Sequence, residues 1–113
     1  RALSTDPHAP AIVEMILDLV RACRPDADAS EIVRNSVSWG PGPRAAQALM
    51  LAVRARALLR GAYAPSAQDV ADLAPAVLNH RMALAFGARA RGITQLELIG
   101  DVTQMILDKK AAS

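Results

Sequence analysis

The stretch WGPGPRAAQAL, residues 39–49, places one cation at the mouth of an otherwise apolar run. Trp39, the only tryptophan, is followed by Gly40, Pro41, Gly42 and Pro43 before Arg44. With Gly42 as N-cap and Pro43 as the first helical residue, Arg44 falls in the first turn of a helix. The partial positive charge of a helix N-terminus disfavours a cation there, by a few tenths to about 1 kcal/mol. The placement becomes favourable when an anion sits opposite. Backbone N–H groups, the helix dipole and a guanidinium fork can then converge on one phosphate. Pro41 and Pro43 stiffen the entry and fix where the arginine points. The plainer alternative pairs Arg44 with a neighbouring acid such as Glu31, or leaves it extended into water.

Other candidates for chemistry are sparse. His8 and His80 are far apart and lack partners at metal-ligand spacing, so a metal site is not expected. His80 follows Asn79 near a helix end, where capping or packing is its ordinary role. Cys23 has no histidine or acid close by and reads as a small buried hydrophobe. The acids are scattered and suit solvated faces and helix caps. No G-x-x-x-x-G-K-[ST] occurs, so the chain carries no phosphate cradle of its own and no complete catalytic set.

Composition bounds the possibilities. The 113 residues make one domain, large enough to bury about two-thirds of its unfolded surface. Apolar residues make up 52%, 24 residues are alanine, and only Trp39, Tyr63 and Phe86 are aromatic, which favours close-packed helices over sheets. The same scarcity of aromatics argues against a stacking platform for single-stranded nucleic acid. A net charge of +2 steers acidic partners only weakly. A lone cysteine forms no disulfide within the chain and fits a reducing compartment. No run reaches membrane-spanning length, and a signal peptide is not expected. The chain opens on Arg1 rather than methionine, which reads as a piece of a longer polypeptide.

The elements that must position Arg44 are helical. Asp6-Pro7-His8-Ala9-Pro10 is a lead-in ending in a proline tolerated in a first turn. Ile12, Val13, Ile16, Leu17, Leu19, Val20 and Cys23 then recur at helical spacing until Pro25. Residues 30–37 form a shorter element around Ile32, Val33 and Val37. Residues 43–60 form the longest helix, stopped by Gly61. Its apolar residues cover most of its circumference, which predicts a central helix packed on several sides. Ser66 with Asp69 resembles a capping box, and Val70, Leu73, Val77 and Leu78 supply an inner face. Pro75 is placed to bend or divide that helix. Met82, Leu84 and Phe86 alternate, which suits a short strand beside Tyr63 about as well as a continued helix. Thr94 and Glu97 form a capping box with Ile93 able to staple onto Leu98. Leu98, Ile99, Val102, Met105 and Ile106 make one stripe, and Lys109 and Lys110 complement the helix end. The expected fold is all-α, a small bundle of about four to five helices over residues 1–113, with a minor two-stranded element near Tyr63 and Met82 to Leu84.

The segment VRNSVSWGPGPRAAQALMLAVRARALLRGAYAPSAQDVADLAPAVLNHRMAL, residues 33–84, resembles the C-terminal lid domain of MoxR-type AAA+ ATPases. The family pattern runs from W-G-x-S-P-R-A through an alanine-rich helix ending in L-L-R-G, an aromatic residue and [ST]-x-x-D-V to L-A-P-x-V-L-x-H-R. Here it is met by Trp39-Gly40, Pro43-Arg44-Ala45, Leu58 to Gly61, Tyr63, Ser66 with Asp69-Val70, and Leu73 to Arg81. Residues 12–24 are similar to the family's I-x-x-L-V-R-A-[TC]-R. Each short motif is weak alone; their order and spacing together are specific, and the likeness covers most of the chain. Gly42 stands where the family often has serine, which removes a side-chain acceptor from the N-cap and leaves the arginine in place.

The resemblance implies a lid closing over ATP and Mg2+ held by a preceding P-loop domain. It implies that Arg44 is the sensor 2 residue, directed at the terminal phosphates. Pro43 and Gly42 would position its loop, and Trp39 would anchor that loop in the lid core. It also implies a cytoplasmic, bacterial ATPase assembled as a hexameric ring that remodels or matures client proteins beside von Willebrand factor A-type proteins. The isolated chain would then be neither an ATPase nor a nucleotide binder. Two other classes compete. A helix-turn-helix-like DNA binder would read with residues 66–80, but that segment has no Arg or Lys before Arg81. A stand-alone helical protein-interaction scaffold needs no nucleotide at all.

Overall fold

Apolar residues spaced three and four apart assemble one helical core. The computed structural model describes residues 9–26 and 29–112; the lead-in containing His8 lies outside them. The elements are α1 (Ala9–Ala22), α2 (Glu31–Ser36), β1 (Val37–Trp39), α3 (Pro43–Leu59), α4 (Ala67–Asn79), β2 (Ala83–Leu84), α5 (Phe86–Ala90) and α6 (Gln95–Ala112). Ile12, Ile16 and Leu19 of α1 and Leu98, Ile99 and Val102 of α6 join Val70, Ala74 and Leu78 of α4 in that core.

The helix expected to be central is not the central one. α4 packs most extensively, against α6 on one side and α3 on the other, and it also meets α1. α3 buries only the i, i+4 stripe Ala45, Leu49, Val53 and Ala57. Its opposite side leaves Leu51 66% and Leu58 74% exposed. The all-round apolar pattern of α3 therefore reports a second surface, uncovered in this chain, rather than burial on several sides.

The two-stranded element exists, with a different partner. Val37 pairs antiparallel with Leu84 and Trp39 with Ala83, across an irregular register. Tyr63 is not part of it; it lies exposed in the connector beyond α3. Phe86 opens the short helix α5 instead of extending the strand. Pro75 leaves α4 undivided. Ala74 and Leu78, beside it on the same helix, are fully buried, and tertiary packing outweighs the missing N–H.

Three local devices set the helix ends. Gly61 takes φ +77°, with Ala62 N–H on Ala57 C=O at 2.8 Å and Gly61 N–H on Leu58 C=O at 3.0 Å, the Schellman pattern that ends α3. Ser66 caps α4 in a complete box: Ser66 Oγ accepts from Asp69 N–H, and the Asp69 carboxylate accepts from Ser66 N–H at 2.8 Å. Thr94 Oγ1 accepts from Glu97 N–H at 3.1 Å and donates to Glu97 Oε1 at 2.9 Å. The start of α6 is tied to the end of α4 by Gln95, whose amide donates to Asn79 C=O at 2.7 Å and Met82 C=O at 2.9 Å. Its far end is held by Lys110, 2.7 Å from Asp18 of α1.

Leu49→Ala removes a fully buried side chain and is expected to cost about 2–5 kcal/mol in denaturant unfolding. Leu51→Ala, two residues on, is expected to change stability by less than about 0.5 kcal/mol. Thr94→Ala removes the cap of α6 and is expected to cost about 0.5–2 kcal/mol. Equal losses for the two leucines would show that α3 is buried on both sides.

Candidate functional site

The loop before α3 is pinned by its smallest residues. A Cβ on Gly40 would stand 2.7 Å from Arg24 Cα and 3.0 Å from Cys23 C=O, so only glycine lets the loop lie on the end of α1. Pro41 is fully buried. Trp39, expected to anchor the loop in the core, is 56% exposed at the edge of β1. The anchor is therefore the Gly40–Pro41 pair. Alternation alone would put Trp39 on the same side as Val37; the irregular register between the two residues breaks it, and Ser38 and Trp39 are both exposed.

Beyond that anchor the chain turns outward. Gly42 is the N-cap in extended backbone, Pro43 is the first helical residue, and no side chain caps the helix. Ala45 N–H bonds Gly42 C=O at 3.0 Å. Gly42, Pro43 and Arg44 are all exposed. The first turn of α3 contains no acid. Arg44 makes no ion pair among the described residues, and Glu31, the acid considered as its partner, does not reach it. An arginine at the positive end of a 17-residue helix, with no internal acid to answer it, leaves space and charge for an outside anion.

The other arginines of α3 behave differently. Arg60, just past the helix, hydrogen-bonds the buried Asp69 carboxylate. Arg56 Nε lies 3.4 Å from the same carboxylate, and its Nη2 lies 2.6 Å from Asp72. Burial pushes the Asp69 carboxyl up, but hydrogen bonds from Ser66 N–H and Arg60 outweigh it, and the group titrates below its ordinary value. In the sequence Asp69 is legible as a cap, and its two arginine partners are not. The available signal was a cation closing one helix and an acid at the third position of the next, nine residues on.

The remaining candidates are structural. Cys23 is buried, and desolvation pushes its thiol up to about 12, which removes the thiolate needed for nucleophilic chemistry. His80 is the C-cap of α4, its N–H on Leu78 C=O. Among the described residues no three His, Cys, Asp or Glu come together, and no helix is long and apolar enough to cross a membrane. The helix offered as a DNA reader is α4. It is held between α3 and α6, and its polar side presents Gln68 bonded to Asp72, with no cation for a phosphate backbone.

Comparison with known proteins agrees with this geometry. A family model described as the AAA lid domain matches residues 29–101, from the end of the first loop into α6. The chaperone MoxR1 of Mycobacterium tuberculosis (strain ATCC 25618 / H37Rv) is 34% identical over 97 residues, 85% of this chain and 26% of that protein. A crystal structure of a candidate ATPase from Cytophaga hutchinsonii ATCC 33406 superposes with a TM-score of 0.77 at 27% identity, covering 83% of this chain and 29% of that one. The chain belongs to the AAA lid domain family and is of the MoxR type. It spans about a quarter of the length of the curated relative.

Because the folded Asp69 carboxyl titrates below its unfolded value, its contribution to stability is present above about pH 4 and is lost as pH falls through the folded value. Asp69→Asn is expected to cost about 1–3 kcal/mol at pH 7, moderated because Arg56 and Arg60 remain partly hydrated. The gap between the Asn variant and the native chain should close as the pH is taken below 4. Urea midpoints of both proteins from pH 7 to pH 3 check this, and a gap independent of pH would show that ionisation of Asp69 does not matter.

Proposed function

We propose that this chain is the C-terminal lid of a MoxR-type AAA+ ATPase, closing over ATP held by a preceding P-loop domain, with Arg44 as its sensor 2 residue. The observation that carries the reading is the exposed Arg44, unpaired among the described residues in the uncapped first turn of α3. The residues present fit a phosphate at that one point. When bound with Mg2+, ATP supplies the transferable terminal phosphate. Arg44 contributes a guanidinium to the charge on its oxygens, and Gly42 and Pro43 set the loop that aims it. Gly40 and Pro41 transmit the position of that loop to the end of α1.

The wider role follows from the family. The parent polypeptide assembles with further copies of itself, as a hexameric ring in the cytoplasm of a bacterium, and couples nucleotide state to the remodelling or maturation of client proteins. Von Willebrand factor A-type proteins are its proposed companions. Support comes from the similarity to a protein named as a chaperone and to another described as a candidate ATPase. By itself the chain has no phosphate cradle, and Mg-ATP titrated into it is expected to give no saturable heat. Saturable binding would place a nucleotide site within the lid.

Arg44→Ala in the parent is expected to lower ATP turnover severely, by about a hundredfold or more. Arg44→Lys should recover only part, since an ammonium keeps the charge and loses the planar fork. In the 113-residue chain the Ala variant should melt at the same temperature or slightly higher, because a cation leaves a helix N-terminus. Steady-state ATPase of the parent and melting of the chain read the two effects separately. Normal turnover together with lost stability would make Arg44 a packing residue.

A further inference from the structure

The small net charge of the chain hides an uneven distribution. Residues 32–96 hold eight arginines and two acids, and both acids, Asp69 and Asp72, are answered by Arg56 and Arg60 inside the domain. From Leu73 to Leu96 there is no acid at all. In that stretch Arg81, Arg89 and Arg91 are exposed and make no ion pair among the described residues. The short helix α5 buries Ala88 alone. It presents Phe86, 82% exposed, with Arg89 one turn on along the same side. Arg91 is its C-cap, and Arg91 Nη1 stands 3.5 Å from where a Cβ on Gly87 would be, so the guanidinium lies along the helix. On the strand side, the exposed Trp39 pairs with Ala83, three residues before Phe86 and about 10 Å from it along an extended chain. Arg81, two residues before Ala83, is held in place by donating Nη1–H to Val77 C=O at 2.9 Å. Arginines and exposed aromatics thus follow one another in a strip along β2 and α5, and neither aromatic belongs to the core. These are the residue types that carry most of the energy in contacts between proteins.

We propose that this strip is a docking surface for an acidic segment of a partner protein, which sets carboxylates on Arg89 and Arg91 and an apolar side chain against Phe86. Charge chooses the occupant. A carboxylate matches the planar fork of each arginine, and a polypeptide brings apolar side chains beside its acids. A symmetric pairing of two copies of the strip would set arginine against arginine. A nucleic-acid backbone fits less well. The cationic strip ends at a cleft that Arg91 shares with Glu97 and Asp101, and those carboxylates would face a continuing row of phosphates. The strip uses none of the residues assigned to ATP, so the inference stands or falls apart from the ATPase reading.

Fluorescence anisotropy tests this, with a fluorescein-labelled peptide of glutamates around a central phenylalanine titrated with the 113-residue chain at low salt. The expected result is saturable binding that weakens by about tenfold or more when Arg89→Glu and Arg91→Glu are combined, and severalfold in Phe86→Ala. Arg54→Ala removes an exposed arginine of α3 outside the strip and should leave the affinity unchanged. The same peptide with lysine for glutamate should not bind. Every substitution is of an exposed side chain, and unchanged far-ultraviolet circular dichroism checks that each variant is folded. Failure of the glutamate peptide to saturate would overturn the inference, as would an equal loss in Arg54→Ala and in the double variant. So would tighter binding of a single-stranded oligonucleotide, or of phosphatidylserine vesicles, that the double variant loses, which would assign the strip to phosphate.

Discussion

A carboxylate buried at the first turn of α4 holds two arginines from the end of α3, and the placement of the long helix depends on that arrangement. Asp69 accepts from Ser66 N–H and from Arg60, with Arg56 alongside and Asp72 as a second acceptor. A carboxylate taken out of water without these partners would be costly. With them it joins a helix cap and an interhelical clamp in one group. The far end of α3 is fixed by different means, the contact of Gly40 with the backbone of α1 and the burial of Pro41. A helix held at both ends presents a fixed first turn, and that turn carries Arg44.

The division of labour among the arginines of α3 follows from this. Arg56 and Arg60 are answered by acids within the domain. Arg44 and Arg54 have no ion-pair partner among the described residues. The family motifs divide in the same way. L-L-R-G and S-x-x-D-V are the two sides of the Asp69 clamp, whereas P-R-A is the part that faces outward. Arginines answered by an acid and arginines without one thus sit in one helix, sorted by whether the domain itself supplies the counter-charge.

The sequence made much of this legible. Helical periodicity located α1, α3, α4 and α6, and the boxes at Ser66 and Thr94 marked two helix starts, because a cap is a local interaction written within four residues. The Gly42–Pro43–Arg44 start of α3 was readable for the same reason. What lay beyond reach depended on distant partners. The pairing of Val37 with Leu84 joins residues far apart in sequence, and a two-residue strand carries too little alternation to name its partner. Gln95, an ordinary surface residue by type, closes the end of α4 through carbonyls of Asn79 and Met82. Trp39 misled because a large aromatic suggests burial. Residue type reports hydrophobicity, whereas burial depends on the neighbours the fold supplies, and Trp39 and Leu51 are left more than half exposed.

The central claim is that Arg44 meets a phosphate that the lid does not hold itself. The most direct measurement is a cryo-electron microscopy map of the full-length parent with Mg2+ and a slowly hydrolysed ATP analogue, at a resolution that places side chains. The account predicts the Arg44 guanidinium at about 2.7–2.9 Å from an oxygen of the terminal phosphates, the usual length of a charge-assisted hydrogen bond. An Arg44 turned into solvent, or paired with a carboxylate while the phosphates are held by other residues, would contradict it.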